Sequence, residues 1–367
     1  MEDQEMRRLL LLMGLALAAF LLVSGEAKAQ QQQQPVVPAL VTFGDSQVDV
    51  GNNDYVDNSL IGKANMPPYG RDFKDHVATG RFCNGKLGID IIAERLGFIS
   101  YPPAYLSPQA SGHNLLIGAN FASAGSGFYD DAPFKSQYIT LSQQLEYFKE
   151  YRTKLAAVTG NSSMAQSIIS GALYIICTGA NDFHLNYYFN PSLLTTLTFD
   201  QYCQRLLVIF NNTVTQLYDA GARRIGVVSL PPVGCYPAAI TVFGLGGSGC
   251  VPWLNANAQR FNAKLSAAVG ALSSSERHAG LKIALLDVYT PVYGLVTSPG
   301  SYGFVEARRG CCATGTVEFA VLCNAYAPGT CPDASQYVFW DAAHPTEAAN
   351  QVIADYILAH GINDLVA

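Results

Sequence analysis

Five short apolar runs punctuate the chain, at residues 39–43, 115–121, 172–178, 225–230 and 283–288. Longer stretches with helical periodicity separate them. Continuous apolar runs of this length, alternating with helical segments, predict a parallel sheet covered by helices on both faces. Three helices are readable in detail. One spans residues 200–219 and stops before Gly221; a second spans 255–272 and stops near a serine run; a third is expected over 345–359. In the last, Pro345 takes a helix-starting position and Glu347 the first turn, where each is favoured. Ligands of an open parallel sheet bind beyond the carboxyl ends of its strands. The residues just after the first three runs are therefore the place to look for chemistry. They read Gly44-Asp45-Ser46, Ala122-Ser123-Ala124-Gly125-Ser126-Gly127 and Gly179-Ala180-Asn181-Asp182.

The N-terminus changes the setting of this domain. Arg7 and Arg8 lead into an apolar run at residues 9–23, which closes on Ala27-Lys28-Ala29. That pattern predicts a secretory signal peptide over residues 1–29, and the run is shorter than the roughly 20 residues that span a bilayer. Glu2, Asp3 and Glu5 are unusually acidic for such a leader. The remaining residues, 30–367, are expected to fold as a single domain without a transmembrane segment. A glutamine run at 30–34, followed by Pro35 and Pro38, reads as a solvated arm.

The formal net charge is −6 and no basic cluster occurs, which argues against a nucleic-acid partner. Charged residues make up only 14% of the chain, so Tyr, Asn, Gln, Ser and Thr must carry much of the surface, as suits an extracellular protein. Export would place the nine cysteines where disulfides persist, and an odd number leaves at least one thiol unpaired. Cys235, Cys250, Cys311, Cys312, Cys323 and Cys331 lie in loop-like sequence and read as staples; Cys177, inside an apolar run, reads as a buried thiol. Zinc at residues 311–331 lacks the paired C-x-x-C spacing that would support it. Asn161 and Asn211 begin glycosylation sequons.

Ser46 falls where a strand is expected to turn into a helix, which would aim its hydroxyl and its own N–H at the same crevice. A serine needs a base to attack a carbonyl at neutral pH. Asp341-Ala342-Ala343-His344 offers an imidazole with a carboxylate three residues away on the same loop, able to fix its tautomer. An oxyanion formed on that attack needs donors, for which Ser46 N–H, Gly125 N–H and the Asn181 amide are the candidates. Each has a bland alternative: a Gly-Asp-Ser turn, a glycine in a tight turn, a capping asparagine, a surface carboxylate and a helix-capping imidazole. Of the other histidines, His184 is the one expected to line the crevice. Asp45 and Asp182 are expected to fix loops by hydrogen bonds.

Phe43-Gly44-Asp45-Ser46, Asn120-Phe121-Ala122-Ser123-Ala124-Gly125, Gly179-Ala180-Asn181-Asp182 and Asp341-Ala342-Ala343-His344-Pro345 together resemble the blocks of plant-type GDSL esterase/lipases, which are SGNH hydrolases. Asp49, Gly51, Asn52, Asn53, the stretch Arg81 to Lys86, Pro231-Pro232-Val233-Gly234-Cys235 and Cys323-Asn324 extend the likeness. Gln47 stands where the family's first block has Leu, a departure expected to touch packing more than chemistry. The resemblance implies an α/β, three-layer, flavodoxin-like fold with a central five-stranded parallel sheet. It implies cofactor-free hydrolysis of carboxylic esters through an acyl-enzyme on Ser46, with His344 as base, Asp341 as its partner, and Gly125 and Asn181 as oxyanion donors. It leaves a small-molecule, lipid or polysaccharide ester as the substrate.

Three other readings stand beside this one. A secreted acyltransferase would use the same first half-reaction. A metal-dependent phosphoesterase would treat Asp45, Asn181, Asp341 and His344 as ligands, but no Gly-Asn-His block or second clustered histidine accompanies them. A catalytically silent wall or carbohydrate-binding protein would not need Ser46, Asn181 and His344 intact. Residues 241–251 and 289–303 are expected to be loops that shape substrate choice, and Cys235 with Cys250 is the first disulfide expected.

Overall fold

The computed structural model describes residues 4–6, 34–57, 62–132, 135–247 and 249–367. Apart from residues 4–6, the expected leader lies outside them. Val37–Ala367 forms one compact unit. Its centre is a five-stranded sheet of β1 (Leu40–Gly44), β2 (Gly118–Asn120), β3 (Leu173–Cys177), β4 (Arg224–Val228) and β5 (Lys282–Leu286). The strands are all parallel in the order β2-β1-β3-β4-β5, which is the flavodoxin-like winding. Every residue of β1 is buried, as expected of a strand with a neighbour on each edge and helices on both faces.

The helices are α1 (Gly88–Arg95), α2 (Leu141–Thr159), α3 (Ser162–Gly171), α4 (Pro191–Thr196), α5 (Phe199–Asp219), α6 (Pro237–Phe243), α7 (Pro252–Ser273), α8 (Tyr289–Thr297), α9 (Glu347–Ile357) and α10 (Asn363–Val366). α9 packs on α1 and α8, while α2 packs on α3, and α5 on α7. The helices expected at 200–219 and 255–272 are present, each starting slightly earlier. Thr198 sets the start of α5 with a reciprocal capping box to Gln201, and Pro252 occupies the first turn of α7.

Four expectations need correction. The apolar run 115–121 is only partly strand: Gly112–Ile117 coils into a 3-10 helix and pairing begins at Gly118. There φ is +102, and a Cβ would sit 2.0 Å from the Leu40 carbonyl oxygen, so only glycine admits that close approach. The last helix does not begin at Pro345. Thr346 is its N-cap, accepting from Ala349 N, and Pro345 is held in an antiparallel bridge to Phe339. Ser46 stands on a tight turn rather than at a helix start, because Asp45 O accepts from both Val48 N and Asp49 N and the chain then leaves the helical path. Finally, residues 289–303 are not a loop, since α8 takes up most of them.

A smaller parallel pair, β6 (Glu306–Gly310) with β7 (Tyr337–Phe339), carries its own core of Tyr69, Phe82, Trp340 and four cysteines. Those cysteines form Cys311–Cys331 and Cys312–Cys323, and Cys235 pairs with Cys250 as expected. All six staple cysteines are thus bonded. Cys177 is free and half-buried at the end of β3, and Cys83 and Cys203 are also free.

Candidate active site

The turn that bears Ser46 grows directly out of β1. At Gly44 φ is +143, and a Cβ there would lie 1.9 Å from the Cys177 carbonyl oxygen of the neighbouring strand. A side chain is therefore excluded where the chain leaves the sheet. Gln144 of α2 clamps the same residue: Gly44 N donates to its Oε1 at 2.9 Å and its Nε2 donates to Gly44 O at 2.9 Å. Asp45 N then donates to Cys177 O, and Gln47 N donates to the Asp45 carboxylate at 3.0 Å. Ser46 is left at the tip, half-buried.

The second strand-end loop is tied to this turn by side chains. The Asp49 carboxylate accepts from Gly51 N, Asn52 N and Ala124 N. Asn52 Nδ2 donates to the carbonyls of Asn120 and Ala122, and Asn53 Nδ2 to that of Ala124. Gly125 follows at φ +93, with the space for a Cβ filled by the Tyr138 ring at 2.8 Å. The third loop is fastened to the second. Asn181 Nδ2 donates to Ser126 O at 2.9 Å, and Asp182 accepts from Phe128 N at 2.7 Å and Tyr129 N at 2.9 Å. A side-chain amide has two N–H donors, so Asn181 keeps a second for the crevice. Asp45 and Asp182 act as loop fasteners, as expected from the sequence.

From the far end of the chain, β7 delivers the loop that bears Asp341 and His344. Asp341 Oδ1 accepts from Ala343 N at 2.9 Å and His344 N at 2.8 Å, so the carboxylate shapes its own loop. His344 Nδ1 lies 2.8 Å from both carboxylate oxygens, and His344 Nε2 lies 2.8 Å from Ser46 Oγ. Asp341 is fully buried and His344 is 5% exposed, so solvent does not compete for these bonds. Phe82 packs against the imidazole with ring centres 4.7 Å apart. Gln47 Nε2 donates to Ala343 O at 3.3 Å, joining the residue after Ser46 to the residue before His344. The departure from the family's Leu therefore makes a contact between the loop that bears Ser46 and the loop that bears His344.

One participant escaped the sequence reading. The Tyr69 hydroxyl donates to Asp341 Oδ2 at 2.8 Å and accepts from Ala320 N at 2.9 Å. Burial, with Asp341 alongside, pushes that phenol well above its usual range and keeps it a donor. No spacing signal ties a tyrosine at 69 to an aspartate at 341. Only the fold does.

Ser46, Gly125, Asn181 and His344 line one crevice of about 390 Å³. Its remaining walls are mostly apolar, with Leu185, Phe189, Val242, Phe243 and Phe319 prominent. His184 lines it too, beside Tyr236 at 5.7 Å between ring centres, and burial lowers its imidazole to about 4. That ring is neutral across the physiological range. Of the two stretches expected to shape the crevice, 241–251 contributes Val242 and Phe243, whereas 289–303 contributes nothing to its lining. Asn161 caps α3 and is exposed; Asn211 is exposed on α5. Among the described residues, no three His, Cys, Asp or Glu side chains cluster to hold a metal ion.

A family model described as GDSL-like lipase/acylhydrolase matches residues 40–357, from the first strand to the end of α9. The chain belongs to that family. GDSL esterase/lipase APG of Arabidopsis thaliana is 54% identical over 89% of this chain and 92% of its own length. GDSL esterase/lipase At5g22810 of the same plant is 51% identical over 90% of this chain and 91% of its own. The chain is a carboxylic ester hydrolase with the SGNH fold. The described residues contain no helix long and apolar enough to cross a membrane.

Proposed function

We propose that this ester hydrolase works by a two-step acyl transfer on Ser46 and acts outside the cell. The observation that carries the mechanism is the unbroken chain from Ser46 Oγ to His344 Nε2 and from His344 Nδ1 to Asp341, at 2.8 Å per link. His344 Nε2 takes the serine proton as Oγ attacks the ester carbonyl, and Asp341 stabilises the imidazolium that forms. The tetrahedral oxyanion is met by Ser46 N–H, Gly125 N–H and the free Asn181 N–H, groups already fixed by the sheet end and the loop fasteners. Collapse expels the alkoxide, which receives the proton from His344. Water then repeats the sequence on the acyl-enzyme and releases the acid.

Secretion is supported by the leader-like pattern at residues 1–29 and by three disulfides, which persist in oxidising compartments. The test is Ser46→Ala. Turnover of nitrophenyl esters and covalent labelling by an organophosphorus probe should both vanish while the melting temperature holds. Labelling that survives would remove Ser46 as the nucleophile.

A further inference from the structure

Behind the crevice lies a second hollow of about 90 Å³. Asp45, Gln47, Ala180 and Tyr236 line both cavities and form the wall between them. The far side of the hollow is aliphatic, built from Ile89 and Ile92 of α1, Val228 of β4, Val292 of α8, and Ile353 and Ile357 of α9. All six are 8% exposed or less. They stand on rigid elements, not loops, so the hollow is a fixed feature of the helix–sheet interface.

Polar side chains line it too, and Ser229 and Asn350 among them are hydrogen-bonded. Thr178 is 5% exposed and lines the hollow, yet its hydroxyl finds no partner among the described residues. An unfilled apolar hollow and an unsatisfied buried hydroxyl each cost stability, the hydroxyl about 1–3 kcal/mol. A chain with no use for the space would be expected to fill it. The position is informative as well. Gly44 and Cys177 are register partners, and Asp45 and Thr178 are the next residues on each strand. Thr178 therefore leaves the sheet on the strand next to the one that leads into Ser46.

We propose that this hollow is a binding site for the acyl chain of the substrate: an unbranched hydrocarbon that bears an oxygen substituent along its length. The chain runs from the acylated Ser46 past Gln47 and Tyr236, its methylenes lie against the aliphatic wall, and its oxygen pairs with the Thr178 hydroxyl. The alcohol half of the ester stays in the outer crevice among Phe189, Phe243 and Phe319. The inference rests on Ser46 being the residue acylated, and it narrows the acyl group from any carboxylic acid to a chain long enough to cross the wall.

The test is a nitrophenyl ester series, acetyl, butyryl, octanoyl and palmitoyl, with octanoyl esters that carry one hydroxyl at successive positions. Ala354 is fully buried and lines only the hollow. In Ala354→Phe, acetyl turnover should be unchanged while kcat/KM for octanoyl and palmitoyl falls at least about tenfold, the scale of misfitting one or two methylenes. In Thr178→Val, the advantage of the best hydroxylated isomer over plain octanoyl should disappear. A chain-length profile identical to wild type in Ala354→Phe overturns the proposal. If overpacking lowers every ester alike, Val292→Ala decides: a shift of preference towards longer chains supports the site, and an unshifted profile sinks it. Wild-type protein that turns over no ester, acetyl included, would instead count against ester hydrolysis at Ser46. A thermal shift by free hydroxylated octanoic acid, lost in Ala354→Phe, would then decide the hollow by itself.

Discussion

Tyr69→Phe separates a hydrogen bond from the packing that surrounds it. The ring makes edge contacts with Phe82 at 5.7 Å and Trp340 at 6.2 Å, and phenylalanine keeps both. What goes is the hydroxyl, with its bond to the Asp341 carboxylate and its acceptor role for Ala320 N. A hydrogen bond to a charged group contributes about 1.5–3 kcal/mol, and the orphaned N–H adds a cost of similar size, so a stability loss of about 3 kcal/mol is expected. Asp341 still accepts from Ala343 N, His344 N and the imidazole. It is loosened rather than released, and a transition-state loss near 1.4 kcal/mol, about tenfold in kcat, follows. KM should not move, because Tyr69 does not line the crevice. The assay is steady-state kinetics on a nitrophenyl ester, beside urea denaturation of the same samples. An unchanged kcat with the stability loss intact would show that Tyr69 holds the disulfide-bonded core alone and would refute its role in positioning Asp341.

Three further outcomes are expected. Asn181→Ala should lower kcat by about a hundred- to a thousandfold with little change in KM, and an unaltered kcat would reject the amide as an oxyanion donor. Burial raises the Asp45 carboxyl from 3.8 to about 7, so the folded chain holds that proton more tightly than the unfolded chain. Its contribution to stability is complete below the unfolded value and declines as pH rises through 7. Asp45→Asn should thus match wild type in melting temperature at low pH and exceed it at pH 8, and parallel curves would contradict this. Replacing Cys235 and Cys250 together by Ser opens a loop closed across 15 residues, which should cost about 3 kcal/mol in urea unfolding.

The sheet was legible because its strands fall in short, continuous apolar runs set apart by helical periodicity. The run at 115–121 misled for a local reason. Its apolar residues suit a strand, but Gly118 places the chain so close to Leu40 that pairing can begin only there. Pro345 satisfied a real helix-start preference, yet Thr346 supplied a better cap one residue later. Ser46, Asp341 and His344 could be proposed because each sits in a short, distinctive string. Tyr69 could not, since its partner is set by the packing of the small disulfide core against the loop after β7. The hollow behind Gln47 is likewise a property of how α1, α8 and α9 meet the sheet, and no single segment carries its outline.

Ser46 follows the first strand, and its imidazole partner arrives 298 residues later, only 23 positions before the final alanine. While the polypeptide is being made, the hydroxyl emerges 298 residues before the imidazole that faces it in the folded chain. A product cut before His344 could still assemble the five central strands, which end at Leu286, and would have no imidazole beside that hydroxyl. The arrangement proposed to activate the serine is thus complete only once the first strand and the loop after β7 have both been made and packed together.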